Sequence, residues 1–463
     1  MELIQKLSSH KNETGSADQE EYPYVVLGRH YPPQSDSANN IDDNSFFKTF
    51  FNRNSNLNQD FLSDVNSRLA FTYRTKFQPI LRSSEGPSPL NFRMIFRDNP
   101  INTLENVINN PDCFNTDIGW GCMIRTGQSL LGNALQLAKL GRHFRLDNKM
   151  GIKDDEIISW FRDTTQEPFS IHKFVEKGNK LANKKPGEWF GPAATSISIQ
   201  SLIEEFPECG IDKCLVSVSS GDIFEDDVRE IFEENMDSKI LFLMGVKLGL
   251  DAVNSFYWED ILNILDSKFS VGIAGGRPSS SLYFFGHQGN ELLYFDPHRP
   301  QPSLVDPSVY ETCHTTNFGK LDIKDMDPSM LIGILISGEQ EWETWKSLVN
   351  TSQIINISEK RLDEISNFGD FDVDSMASSS NSFEVKSVNP LDSDYVDLGS
   401  ILYGHETYPR TSLSEYQNVQ CKKQKIIVLE SRTMNSCDLD VEIEPVLVEQ
   451  DTVGIETSEN MAP

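Results

Sequence analysis

Cys122 lies in the stretch NTDIGWGCMIRTGQSLL, Asn115 to Leu131, between a glycine-rich elbow and a run of helical spacing. A thiol at a helix N-terminus meets unpaired N–H groups and the positive end of the helix dipole, which favour the thiolate and make a nucleophile. Such a nucleophile needs a base, and the base needs an orienting group. Of the eight histidines, His10, His30 and His405 fall in segments without apolar periodicity, His143 and His172 read as solvated surface imidazoles, and His314 sits in the loop-like ETCHTTN. His287 and His298 remain, both beside a predicted hairpin. In YFDPHRPQ, Asp296 precedes His298 by two positions at a predicted strand end, which puts both on one face of an extended chain. Pro297 between them restricts the backbone, and a carboxylate beside an imidazole fixes its tautomer and stabilises its charged form. Gly119 and Gly121 permit a tight elbow, and the helix N–H groups beyond it can face a developing oxyanion.

Duller readings stand beside these. A cysteine opening an apolar helix is commonly core, Asp-Pro-His is a common turn, and contact between segments so far apart is open at this stage. Zinc is the competing chemistry. Cys209 and Cys214 form one short-spaced pair and Cys313 adjoins His314, but neither has a matching second half. No metal or organic cofactor is expected.

The elements that must position these groups are legible in part. Apolar residues from Met123 to Ala138 recur at helical spacing, giving a helix from about Cys122 to Leu140 stopped by Gly141. FGPAATSISIQSLIEEF reads as a helix with Gly191 as N-cap and Pro192 at its first position. SKILFLMGVKLG, FSVGIAGG and MLIGILIS read as buried strands, YWEDILNILDSK as a helix, and SLYFFGHQ with ELLYFDPH as a hairpin turning at Gly289–Asn290. Helices first and pairing strands later indicate an α+β fold. A nucleophile on a helix and a base on an antiparallel sheet is a papain-like arrangement, although the order here is Cys, Asp, His rather than papain's Cys, His, Asn. The predicted organisation is an N-terminal arm over 1–44 with a short strand near 23–30, a catalytic domain over 45–366 with a helical insertion near 140–190, and an acidic, disordered tail over 367–463 with a candidate strand near 424–430.

The chain has 463 residues and a formal net charge of −29, from 70 acidic and 41 basic residues. That balance disfavours nucleic acid and anionic lipid as partners through bulk electrostatics. The seven cysteines are irregularly spaced, the first residues are polar rather than leader-like, and the Asn-x-Ser/Thr sequons at Asn12, Asn350 and Asn356 read as accidents of composition. A reducing intracellular compartment is expected. The longest apolar runs fall short of the roughly 20 residues a spanning helix needs.

DIGWGCMIRTGQSLL, EWFGPAA, GIAGGRPSSSLYFFGHQ and LLYFDPHRPQ, in that order, with FTYRTKF upstream, closely resemble the autophagy-related cysteine peptidases, or autophagins, and most of all a fungal member. The resemblance spans roughly Tyr24 to Trp345. It implies a papain-like fold with a small helical subdomain. It implies an enzyme that cleaves the precursor of a ubiquitin-like autophagy modifier after a glycine and later cuts the modifier from phosphatidylethanolamine, touching the membrane through that lipidated substrate. By motif match, Cys122 is the nucleophile, His298 the base and Asp296 its orienting group. Tyr73 supports the oxyanion, and Trp189 walls a slot for the substrate glycine. Gly275 to Ser281, with Gly276 and Pro278, forms a loop that covers the nucleophile until substrate lifts it. A cytoplasmic, or also nuclear, enzyme recruited to autophagosomal membranes is expected, acting as a monomer. In the acidic tail, DSDYVDL places Tyr395 and Leu398 in an aromatic-x-x-aliphatic pattern that resembles modifier-docking motifs. Two other classes stay open: a catalytically silent modifier-binding scaffold and a broader papain-like peptidase.

Overall fold

A computed structural model of the chain describes residues 22–32, 57–89, 112–147, 151–277 and 280–359. Pro278, the tail motif at Tyr395 and Leu398, the candidate strand near 424–430 and the proposed disorder of the tail lie outside the described residues.

In chain order the strands are β1 (Tyr24–Val26), β2 (Arg29–Tyr31), β3 (Arg74–Leu81), β4 (Cys113–Thr116), β5 (Lys213–Ser217), β6 (Asp222–Phe224), β7 (Lys239–Lys247), β8 (Ser270–Arg277), β9 (Ser280–Gln288), β10 (Glu291–Phe295), β11 (Gln301–Pro302), β12 (Gly319–Asp322), β13 (Ser329–Ser337) and β14 (Asn356–Ser358). The helices are α1 (Gln59–Asn66), α2 (Cys122–Leu140), α3 (Asp155–Ser159), α4 (Ile171–Ala182), α5 (Pro192–Glu204), α6 (Glu225–Glu234), α7 (Trp258–Asp266) and α8 (Glu339–Val349).

The main sheet runs β12-β10-β9-β8-β13-β7-β5, with β1 adding to β9 and β2 to β1. Its pairs are antiparallel except β5 with β7, which is parallel. Alternation along the strands sends side chains to two separate cores. Leu241, Leu243, Leu331 and Leu335 join α2 and α5 on one face, while Phe242, Met244, Ile332 and Ile334 meet α7 and α8 on the other. Phe242 stacks on Trp342 and Trp345 of α8, with ring centroids 5.6 Å away in each case. Burial on both faces explains why β7 and β13 read as continuous apolar runs rather than as alternating ones. A second sheet, β11-β3-β4, lies outside this one, and β14 pairs with β6 in a third.

Three expectations change. The stretch expected to be a short strand of the arm is a hairpin, β1–β2, and β1 extends the main sheet through Val25 opposite His287. His172 is buried rather than solvated, and its Nε2 lies 2.6 Å from the Gln78 carbonyl. His314 closes a short 3₁₀ turn, Pro307–Cys313, with Nε2 3.5 Å from the Asp154 carboxylate, and is not in an open loop. No described helix is long and apolar enough to cross a membrane.

Candidate active site

Cys122 is the first residue of α2, and Gly121 is its N-cap. The elbow before it closes on Asp117, whose carbonyl accepts the Gly121 N–H at 2.8 Å and the Trp120 N–H at 3.2 Å. Gly119 takes φ +87°, and any Cβ at Gly121 would come within 2.6 Å of the Asp117 side chain, so the glycines are needed for different reasons. The Asp117 carboxylate is itself fully buried. It accepts the Arg74 N–H at 2.7 Å and the Arg125 Nε–H at 2.6 Å. Arg125, one turn into α2, also donates to Asp163 at 2.9 Å and to Gln128 at 3.0 Å. Burial pushes the Asp117 carboxyl up and Arg125 pulls it back; for Arg125, burial is outweighed by Asp117 and Asp163, which hold it charged. Asp163 accepts the Leu304 N–H at 2.7 Å, so the network runs from the elbow to the segment after β11.

Asp296 and His298 follow β10, but not as an extended continuation of it. Asp296 Oδ1 accepts the His298 main-chain N–H at 2.9 Å and pairs with His298 Nδ1 at 2.6 Å. The tripeptide is thus a turn and an acid–imidazole pair at once, and the extended geometry expected from the spacing is replaced by this side-chain-capped turn. Because a carboxylate only accepts, Nδ1 carries the proton and Nε2 is left for the sulfur. The His298 imidazole and the Cys122 thiol each favour the charged form of the other. Tyr73, at the start of the β3 segment, stands edge-on to the imidazole with centroids 5.3 Å apart and planes at 90°.

The electrostatics follow from this geometry. Burial opposes the charged form of all three groups and is outweighed in each. The hydrogen bond and charge of His298, with a Ser281 main-chain N–H, hold the Cys122 thiol below its ordinary value. Hydrogen bonds to Asp296 and Cys122 push His298 up to about 9. The two hydrogen bonds from His298 pull Asp296 below the usual carboxylate range. A thiolate–imidazolium pair held by a carboxylate can attack a carbonyl and then protonate a leaving amine.

The remaining expected residues also converge here. Trp189 packs against a small cluster of Tyr73, Ile118 and Cys122. Gly275 and Gly276 precede the last residue of β8, and Ser281 is the second residue of β9. The Ser281 hydroxyl lies 2.8 Å from Thr126 Oγ1 and 3.1 Å from Met123 Sδ, both on the first turns of α2. This hairpin and Trp189 leave Cys122 with no exposed surface. Cys209, Cys214 and Cys313 are buried with thiols pushed up by burial, and no described group of side chains is arranged to hold a metal. Sequence reading missed Asp117, Arg125 and Asp163, although an acid two residues before Gly119 and an arginine one turn into the helix were visible. It also missed Leu250 and Phe256, large apolar side chains that stay exposed in the loop after β7.

Residues 58–348 match the Peptidase C54 catalytic domain. The chain belongs to that family. It is 51% identical to a Saccharomyces cerevisiae cysteine protease ATG4, over 98% of this chain and 97% of that one. It is 55% identical to a probable cysteine protease ATG4 of Vanderwaltozyma polyspora, over 86% and 98%, and 45% identical to that of Kluyveromyces lactis, over 97% and 99%. The chain is therefore a papain-like cysteine peptidase of the fungal autophagy family, as its motifs suggested.

Proposed function

We propose that this C54 peptidase processes a ubiquitin-like autophagy modifier after a C-terminal glycine and releases the same modifier from phosphatidylethanolamine. The observation that carries the reading is the closure over Cys122. An indole on one side and a β-hairpin on the other leave the sulfur no exposed surface. A slot of that kind, once the hairpin lifts, admits a backbone without side chains and rejects a general peptide. The loop after β7 gives a surface for the body of a folded substrate. Leu250 is 85% exposed and Phe256 62%, and the Val253 N–H of that loop bonds to Met326, next to Asp327, whose N–H holds the Gly276 carbonyl at the base of the hairpin.

In this reading the Cys122 thiolate attacks the glycine carbonyl while Tyr73 and the α2 N–H groups face the oxyanion. His298 protonates the leaving nitrogen, which belongs to a peptide in processing and to ethanolamine in delipidation. His298 then takes a proton from water, which releases the thioester, and Asp296 keeps the ring in register throughout. Tyr395 and Leu398 would add a second contact to the modifier, and the lipidated substrate would bring the enzyme to the membrane.

The test uses a modifier–reporter fusion and the same modifier conjugated to phosphatidylethanolamine in vesicles. The wild-type chain should cut both, and Cys122→Ser should bind the fusion and cut neither. A Cys122→Ser chain of full activity would remove the nucleophile. Efficient digestion of unrelated unfolded proteins would support a general peptidase instead.

A further inference from the structure

The wall role of Trp189 needs a flat ring and makes no use of its N–H. Yet Nε1 is buried and has no fully formed hydrogen bond. A buried donor without a partner is costly and calls for an explanation. Trp189 packs against the cluster of Tyr73, Ile118 and Cys122, in which the side-chain acceptors are the Tyr73 hydroxyl and the Cys122 sulfur. A thiol sulfur is a weak acceptor, but an ionised one is strong and takes charge-assisted bonds at longer range.

We propose that the Trp189 indole N–H is a donor to the Cys122 thiolate, so that the wall of the substrate slot is also part of the machinery that keeps the nucleophile ionised. The inference rests on Cys122 being the nucleophile. The buried Nε1 belongs to a ring packed against the cluster that holds the sulfur, and Trp189 is among the groups that hold the Cys122 thiol below its ordinary value. The other groups facing the sulfur are the His298 imidazole, backed by Asp296 and Arg299, and the Ser281 N–H from β9. Asp117, Arg125 and Asp163 form a buried network of two carboxylates on one guanidinium around the elbow.

This role has a specific kinetic signature. Charge leaves sulfur as the carbon–sulfur bond forms, so the indole bond is strongest before attack. Removing it should reduce the thiolate fraction at low pH while leaving each remaining thiolate as reactive as before, or more so. The experiment measures iodoacetamide alkylation of Cys122, and turnover of the fusion substrate, as functions of pH. Trp189→Phe should move the acidic limb of both profiles up by about half a pH unit or more. Benzothienylalanine at position 189 keeps the bicyclic shape, replaces the N–H by sulfur, and should show the same displacement of the acidic limb. An acidic limb identical to wild type in the benzothienylalanine protein overturns the proposal, even if Trp189→Phe is inactive through loss of shape. A Cys122→Ser chain that still cleaves sinks the nucleophile reading itself, a result neither Trp189 variant can produce.

Discussion

The main-chain N–H of Tyr73 donates to the carbonyl of Pro297 at 2.8 Å. The next N–H, that of Arg74, donates to Asp117 at 2.7 Å. Successive groups of one extended segment therefore hold the turn that carries His298 and the elbow that leads into Cys122. Together they fix the distance between two segments remote in sequence, which is what a thiolate–imidazolium pair demands.

The Asp117–Arg125–Asp163 network is where that distance is most vulnerable. All three side chains are fully buried, and removing the Asp117 carboxylate strands two buried donors, the Arg74 N–H and the Arg125 Nε–H, at a cost of about 1–3 kcal/mol each. Asp117→Ala should therefore unfold at markedly lower urea concentration. A midpoint equal to wild type would show that water or rearrangement replaces the carboxylate.

Gly178 tests positioning at longer range. It lies in α4, where a Cβ would approach the Phe190 ring to 2.0 Å. Phe190 is buried and adjoins Trp189, so displacing its ring shifts the indole proposed as the slot wall. Gly178→Ala should lower turnover by roughly 10²-fold, the scale of a misplacement of about an ångström. Full turnover of the fusion substrate by a folded Gly178→Ala chain would uncouple the wall from α4.

How much of this was readable depends on where the signal lives. The α2 helix and α5 declared themselves because their starts and stops are local: Gly191–Pro192 at one, Gly141 at the other. β7 and β13 declared themselves because both faces are buried. β3 did not, since its burial alternates irregularly, it contains Pro79, and its partners Cys113–Thr116 and Gln301–Pro302 are distant. His172 looked solvated because its partner, the Gln78 carbonyl, leaves no trace in its own neighbourhood. Cys122, Asp296 and His298 were visible as types and spacings, but the bonds joining them are tertiary. Arg125 was invisible as a site residue for the same reason: an arginine on a helix becomes a strut only when Asp117 and Asp163 close on it.

The pH profile follows from the shifts at the pair. In the proposed mechanism the competent form has Cys122 deprotonated and His298 protonated. The Cys122 thiol is held below its ordinary value, so activity should rise through an acidic limb below the usual thiol range. His298 is pushed up to about 9, so activity should fall as pH passes that region and the imidazolium loses its proton. Both limbs belong to the coupled pair. Asp296→Asn removes the carboxylate that holds the imidazolium, so the alkaline limb should move to lower pH, with turnover reduced on the order of 10²–10⁴-fold. An alkaline limb unmoved in that variant would break the assignment of Asp296 as the orienting group.

The hairpin over Cys122 gives the last prediction. The Ser281 hydroxyl ties β9 to the start of α2 through Thr126 and Met123, and also lies 3.2 Å from the Gly275 carbonyl across the hairpin. These contacts are side-chain contacts, whereas the Ser281 N–H that faces the sulfur belongs to the backbone. Ser281→Ala should therefore loosen the cover without removing a donor from the nucleophile. A bulky thiol reagent should label Cys122 several-fold faster in the variant, while iodoacetamide, small enough to need little opening, should show an unchanged acidic limb. Equal labelling by the bulky reagent in both proteins would mean that the backbone pairing of β8 with β9, and not the hydroxyl, holds the site shut. A shifted iodoacetamide limb would mean that the hydroxyl acts on the sulfur itself.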